Sequence, residues 1–215
     1  KVLKMKEKVG LFKSTKISLD SFYNSYHKKE HKLIAKQVAQ EAITCVKYDS
    51  SIFPFSTTNP DTLYVIDIYD SRNNHEMSSV TKGLKKSGLK IKPLQIDESD
   101  SKVVLNAMLN EIPKNALVLI NGFVSPKAKK DRIFLPGNEA EFLRVLMNKT
   151  DRIVLASLGT PYLIQEFPEI PVYLCAYKSN SVMQNALVNA LLGQAIISGK
   201  LPVSIPGVAK IGDGI

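Results

Sequence analysis

Leu63-Tyr64-Val65-Ile66-Asp67-Ile68-Tyr69 is a nearly continuous apolar run, and Asp70-Ser71-Arg72-Asn73-Asn74 ends it at once. β-branched and aromatic residues on both alternating faces, closed by turn-forming residues, predict a strand buried on both sides. Runs of the same kind recur at residues 89–96, 117–121, 152–157 and 172–176. Residues 201–205, bracketed by Pro202 and Pro206, suit a last edge strand. Helical periodicity fills the gaps. Met77, Val80 and Leu84 form one stripe, and Val104, Ala107 and Met108 another. Asn138 followed by Glu141 reads as a capping box for a helix carrying Phe142, Leu143 and Leu146. The longest stripe is Met183, Ala186, Leu187, Ala190 and Leu191, entered through Ser179-Asn180-Ser181 and closed by Gly193. Strands alternating with helices predict the α/β class, a three-layer αβα sandwich around a mostly parallel sheet of about five or six strands.

A helical connector precedes the sandwich. Val2, Met5, Val9 and Leu11 suggest a helix closing at Gly10. After a polar stretch, a second helix places Ile34, Val38, Ala42 and Cys45 on one side. Residues 48–60 are turn-rich. The chain starts at Lys1 without an initiator Met, which suggests a piece of something longer.

The formal net charge of +9 raises the question of nucleic acid. Residues 1–47 hold 11 Lys against Glu7, Asp20, Glu30 and Glu41, whereas the remainder holds 18 basic and 16 acidic side chains. The excess therefore belongs to the leading segment, and no aromatic–basic interleaving accompanies it, so no nucleic-acid partner is expected. No apolar run approaches the roughly 20 residues of a membrane span. Cys45 and Cys175 both sit in apolar contexts and read as free buried thiols. His27 and His31 lie four apart without a third ligand, so no metal is expected.

Chemistry is hard to find. Residues 193–201 imitate a phosphate-binding loop, but five residues separate Gly193 from Gly199 where four are needed, and Leu201 stands in the Ser/Thr position. No G-x-G-x-x-G follows the first strand, which argues against a dinucleotide, and no cofactor is expected. Of the carboxylates near strand ends or helix starts (Asp67, Asp70, Asp131, Glu139 and Glu141), spacing selects no catalytic couple. Glu141 reads as a cap and Asp131 as an ion pair with Arg132.

Several segments, in order, resemble glycoside hydrolase family 3, in particular its bacterial β-N-acetylglucosaminidase branch. Lys6-Glu7-Lys8-Val9-Gly10-Leu11-Phe12 resembles the end of that family's catalytic (β/α)₈ barrel. The run from His31 to Ile43 is similar to the helix that begins the crossover, with Ala42 where the family commonly has Ser. Val46-Lys47-Tyr48 with Phe53-Pro54-Phe55 resembles the entry to the C-terminal domain. Leu158-Gly159-Thr160-Pro161-Tyr162 resembles a family turn, and Gly199-Lys200-Leu201-Pro202-Val203-Ser204-Ile205-Pro206 its closing stretch.

The resemblance implies that residues 1–59 are a barrel end and connector. Residues 60–207 would be the C-terminal α/β domain, and 208–215 a tail or linker. It implies that the Asp nucleophile lies on the barrel, outside this chain. In the β-glucosidase branch a Glu acid/base precedes a stretch resembled here by Asp131-Arg132-Ile133-Phe134-Leu135-Pro136-Gly137, yet residues 125–130 contain no Glu. That departure favours the β-N-acetylglucosaminidase branch, whose Asp–His pair sits on a barrel loop. The implied function is a non-catalytic accessory domain, inactive alone, of an enzyme that hydrolyses terminal β-N-acetylglucosaminides with retention. The implied partners are the barrel of the same polypeptide and carbohydrate at the domain interface. No residue here is assigned as catalytic, and Lys127, Asp131 and Arg132 are the residues expected to face the cleft. A carbohydrate-binding or scaffolding module is the alternative, and a small α/β enzyme acting through Asp70 or Asp131 a third reading. The compartment stays open, with secretion or periplasmic export in a bacterium the reading the family suggests.

Overall fold

The computed structural model describes residues 1–13, 18–26, 28–70, 76–124, 135 and 137–215. The chain divides into two compact units, Lys1–Ala35 and Lys36–Ile215.

The first unit contains α1 (Val2–Lys8), α2 (Leu19–Ser25) and the opening of α3 (Lys29–Ala42). Gly10 follows α1 with φ +75°, the left-handed turn expected where that helix closes. Val2, Leu3, Met5, Val9 and Leu11 are all more than half exposed. Phe22 of α2 stacks on Tyr26 just beyond the helix at 5.0 Å.

The second unit is a six-stranded sheet covered by helices on both faces. In chain order it holds β1 (Thr44–Lys47), β2 (Leu63–Tyr69), α4 (Ser79–Lys86), β3 (Ile91–Asp97), α5 (Lys102–Glu111), β4 (Leu117–Phe123), α6 (Gly137–Met147), β5 (Ile153–Ser157), β6 (Val172–Cys175) and α7 (Ser181–Leu191). A short 3-10 helix, Pro161–Glu166, links β5 to β6. The strand order is β1-β6-β5-β4-β2-β3, with β1 antiparallel to β6 and every other neighbour parallel.

The apolar strand runs follow from two-sided burial. Ile66, Ile68, Ile120 and Leu155 enter one core with Leu105, Leu109, Phe142, Leu143 and Leu146 of α5 and α6. Their alternates Leu63, Val65, Leu119 and Val154 enter a second core with Val80, Leu84, Leu187 and Leu191 of α4 and α7. Each such side chain contributes about 1.5–3 kcal/mol relative to exposure. At Gly83 of α4 an added Cβ would lie 2.8 Å from Val188 Cγ2, so a larger residue would push α4 from α7. Asn180 caps α7 by accepting from Met183 N.

Four local expectations are corrected. Cys45 does not extend the stripe of α3, because that helix ends at Ala42 and the β-prone Thr44-Cys45-Val46 pairs with β6 instead. Ala39 is the buried residue of α3, while Ile34 and Val38 are exposed. Residues 201–205 form no strand. Leu201 N donates to Asp213 O, Gly212 N to Leu201 O, and Ile205 makes only an isolated bridge with Ala209. Pro202 and Pro206 offer no N–H to a ladder, so β1 is the sixth strand. In α5 the buried face is Leu105 and Leu109, with Val104 turned to solvent. Finally, α6 starts at Gly137, so Asn138 lies inside its first turn and cannot cap it. Glu141 instead pairs with Lys102 at 2.6 Å, an exposed contact of small value.

Candidate functional site

The five parallel strands create one topological switch point. The chain leaves β2 outward to β3 and then returns across β2 to β4, so the connections after β2 and β4 run in opposite directions. A crevice at the carboxyl ends of two such strands is the standard ligand position of an open α/β sheet. Here Tyr69 and Phe123 close those ends, stacked at 4.5 Å with an interplanar angle of 11°. Burial raises the Tyr69 pKa, which keeps its phenol protonated. Next to this pair, Leu158 N donates to Gly122 O and Thr160 N to Val124 O, fixing the exits of β4 and β5 together.

Two residues below the stack, on the same face of each strand, lie Asp67 and its register partner Asn121. Asn121 Nδ2 donates to Asp67 Oδ1 at 2.8 Å. Thr81 Oγ1 donates to Asp67 Oδ2 at 3.0 Å, and Ser78 N approaches the same oxygen at 3.4 Å. Ser78 also caps α4, its Oγ accepting from Thr81 N at 3.1 Å. Gln184 of α7 extends the network, its Oε1 accepting from Ser79 N at 2.7 Å while its Nε2 donates to Ser179 O at 2.6 Å. Burial raises the Asp67 pKa, outweighing the opposing hydrogen bonds from Asn121, Ser78 and Thr81. At 1% exposure Asp67 does not touch a solvent-borne substrate; it holds β2, β4 and the start of α4 together.

The residues expected to face a cleft, Lys127, Asp131 and Arg132, fall in the connection after β4 and lie outside the described residues. So do the expected Asp131–Arg132 pair and His27. Among the other carboxylates, Asp70 is buried just beyond β2, Glu139 is buried on α6, and Glu141 is tied to Lys102. Among the described residues no three of His, Cys, Asp and Glu come together as metal ligands. Cys45 and Cys175 are free and belong to opposite cores, and burial pushes each thiol up to about 12. No described helix is long and apolar enough to cross a membrane. A cavity of about 410 Å³ opens at the amino edge of the sheet, around Ile52, Asp151, Arg152, Ile153, Glu169 and Ile170. Arg152 there is held by Asp61 at 2.8 Å and by Asn115 O at 3.2 Å.

The Asp67–Asn121 network was missed from sequence, although a signal was present. Each central strand is apolar except for one polar residue, Asp67 in one and Asn121 in the other, and those two sit in register.

No protein-family model and no curated protein sequence matches the chain. Solved structures do. The chain superposes on the β-glucoside phosphorylase BglX with a TM-score of 0.73, covering 94% of this chain and 37% of that one at 18% identity. Against a glycoside hydrolase family 3 β-N-acetylglucosaminidase from Paenibacillus sp. str. FPU-7 the TM-score is 0.71, over 97% of this chain and 38% of that one at 17% identity. A family-3 β-glucosidase from Bifidobacterium adolescentis gives 0.63, over 90% and 30%, at 18% identity. The chain carries the fold of a family-3 glycoside hydrolase domain. It spans less than two fifths of the length of these solved chains. The family-3 fold accounts for the switch-point architecture. At these identities the likeness is one of fold, and it extends to β-glucosidases as well as to the β-N-acetylglucosaminidase.

Proposed function

We propose that this chain is the non-catalytic accessory domain of a family-3 glycoside hydrolase whose longer polypeptide hydrolyses terminal β-N-acetylglucosaminides with retention. The observation that carries the reading is coverage: 90% or more of this chain matches between 21% and 38% of family-3 chains. Residues 1–59 act as the end of a catalytic barrel and its connector, 60–207 as the accessory domain, and 208–215 as its tail. The barrel supplies the Asp nucleophile. This domain supplies the wall of the cleft, through the connection leaving β4 at the switch point, with Lys127, Asp131 and Arg132 facing the sugar. Two features of this chain support a role without catalysis. Residues 125–130 hold no Glu for an acid/base, and the network carboxylate Asp67 is sealed from solvent. Exposed Ile34 and Val38 supply apolar contact to the barrel.

The choice of branch is tested by following, with NMR, the anomer first released from a terminal β-N-acetylglucosaminide by the longer polypeptide. Initial release of the β-anomer is expected. An α-anomer first, or cleavage confined to β-glucosides, would contradict the proposal. Calorimetry of this chain with N-acetylglucosamine oligosaccharides separates the accessory role from the alternative of an independent carbohydrate-binding module. The accessory role predicts no measurable heat.

A further inference from the structure

Asn121 is completely buried, and its amide is only half used. Nδ2 donates to Asp67, but Oδ1 has no hydrogen-bond partner among the described residues. Leaving a buried amide oxygen unsatisfied carries its full desolvation penalty. Asp67 presents the complementary problem. Its carboxyl group is buried, and the described groups that face it are neutral. From β4 these are Asn121 and, further along, Phe123; from β2, the phenol of Tyr69; from α4, Ser78 and Thr81. The neighbouring charges of α4, Lys82 and the preceding Glu76, pair with each other at the surface. On α7, Gln184 is spent on the first amides of α4. Among the described residues no cation compensates the buried charge, and such a charge without a counter-ion is costly.

One proton resolves both deficits. We propose that Asp67 and Asn121 form a neutral carboxylic acid–carboxamide pair that latches β2 to β4 beneath the switch-point crevice and weakens when rising pH removes its proton. In this pair the proton stays on Asp67 Oδ2 and is donated to Asn121 Oδ1, while Asn121 Nδ2 donates back to Asp67 Oδ1. Both amide groups are then satisfied in a closed ring of two hydrogen bonds. Thr81 Oγ1 still donates to Oδ2, because a protonated carboxyl oxygen retains acceptor capacity. Ionisation takes the donor away, leaves Asn121 Oδ1 orphaned and places an uncompensated charge between the two central strands. The elevated pKa of Asp67, caused first by burial, agrees with this direction. A carboxyl whose folded pKa exceeds its unfolded value stabilises the fold at low pH, and that stabilisation is lost as pH rises through the folded value.

The test is a ¹³C titration of the side-chain carboxyls in this chain. An ordinary Asp, with pKa about 3.9, is roughly nine-tenths ionised at pH 5. The Asp67 Cγ resonance is expected to titrate at a higher pH than an ordinary Asp. Titration at or below about 3.9 would overturn the proposal. Asp67→Asn supplies a second arm, because an amide pair reproduces the two hydrogen bonds of the ring without a proton, at the loss of the bond accepted from Thr81 Oγ1. The variant is expected to fold and to lose the decline of stability that the native chain shows as pH rises above the ordinary Asp range. A variant whose stability still declines with rising pH as the native chain's does, or that fails to fold, would count against the pair.

Discussion

The two compact units treat their apolar residues in opposite ways. In Lys36–Ile215 the strands and helices bury theirs in two cores, one on each face of the sheet. In Lys1–Ala35 the large apolar side chains Val2, Leu3, Met5, Val9, Leu11, Phe12, Leu19 and Leu33 are each more than 60% exposed. The first unit has apolar spacing and helices, but none of its described residues is buried in a core. Helices of seven residues are too short to be stable from propensity alone. The contrast separates a unit with two buried cores from one whose described apolar side chains lie at the surface, where the proposed accessory role would place the barrel.

The sharpest way to break this contrast is to truncate a core side chain. Leu119, fully buried on the α4–α7 side of β4, is expected to cost about 2–5 kcal/mol as Leu119→Ala in denaturant unfolding. A loss under 1 kcal/mol would mean that the second unit is not the cooperative core described. A smaller effect is expected at the entry of α7. Asn180→Ala removes the side chain that accepts from Met183 N and should cost about 1 kcal/mol by the same measurement. Smallest is Ile34→Ser on the exposed face of α3, expected to change the stability of this chain by no more than about 0.5 kcal/mol. A loss of 2 kcal/mol or more at Ile34 would show that this side chain is already part of a core and would erase the comparison.

What the sequence revealed follows the same physics. β2, β4, β5 and β6 were legible because strands buried on both faces read as unbroken apolar runs. β3 was legible despite its weaker burial, and Pro93 within it suits the edge position the structure gives it. β1 was not, because four residues directly after a helix continue its apolar spacing through Cys45. Residues 201–205 misled for the converse reason. Their composition suits a strand, but the backbone partners they find belong to residues 209–213. In α5, Val104 and Leu105 are both apolar, and only the packing of Leu105 and Leu109 against the sheet decides which face turns inward. At the candidate site, Asp67 was visible as a carboxylate near a strand end. Its pairing with Asn121 depends on β2 and β4 being neighbours, which chain order alone does not reveal.

The accessory-domain reading is tested most directly by assaying hydrolysis of a chromogenic β-N-acetylglucosaminide, comparing this purified chain with the longer polypeptide. The account predicts turnover by the longer polypeptide and none by the chain. Turnover by the chain alone, lost on Asp131→Asn, would contradict it and return catalysis to the carboxylates of this domain.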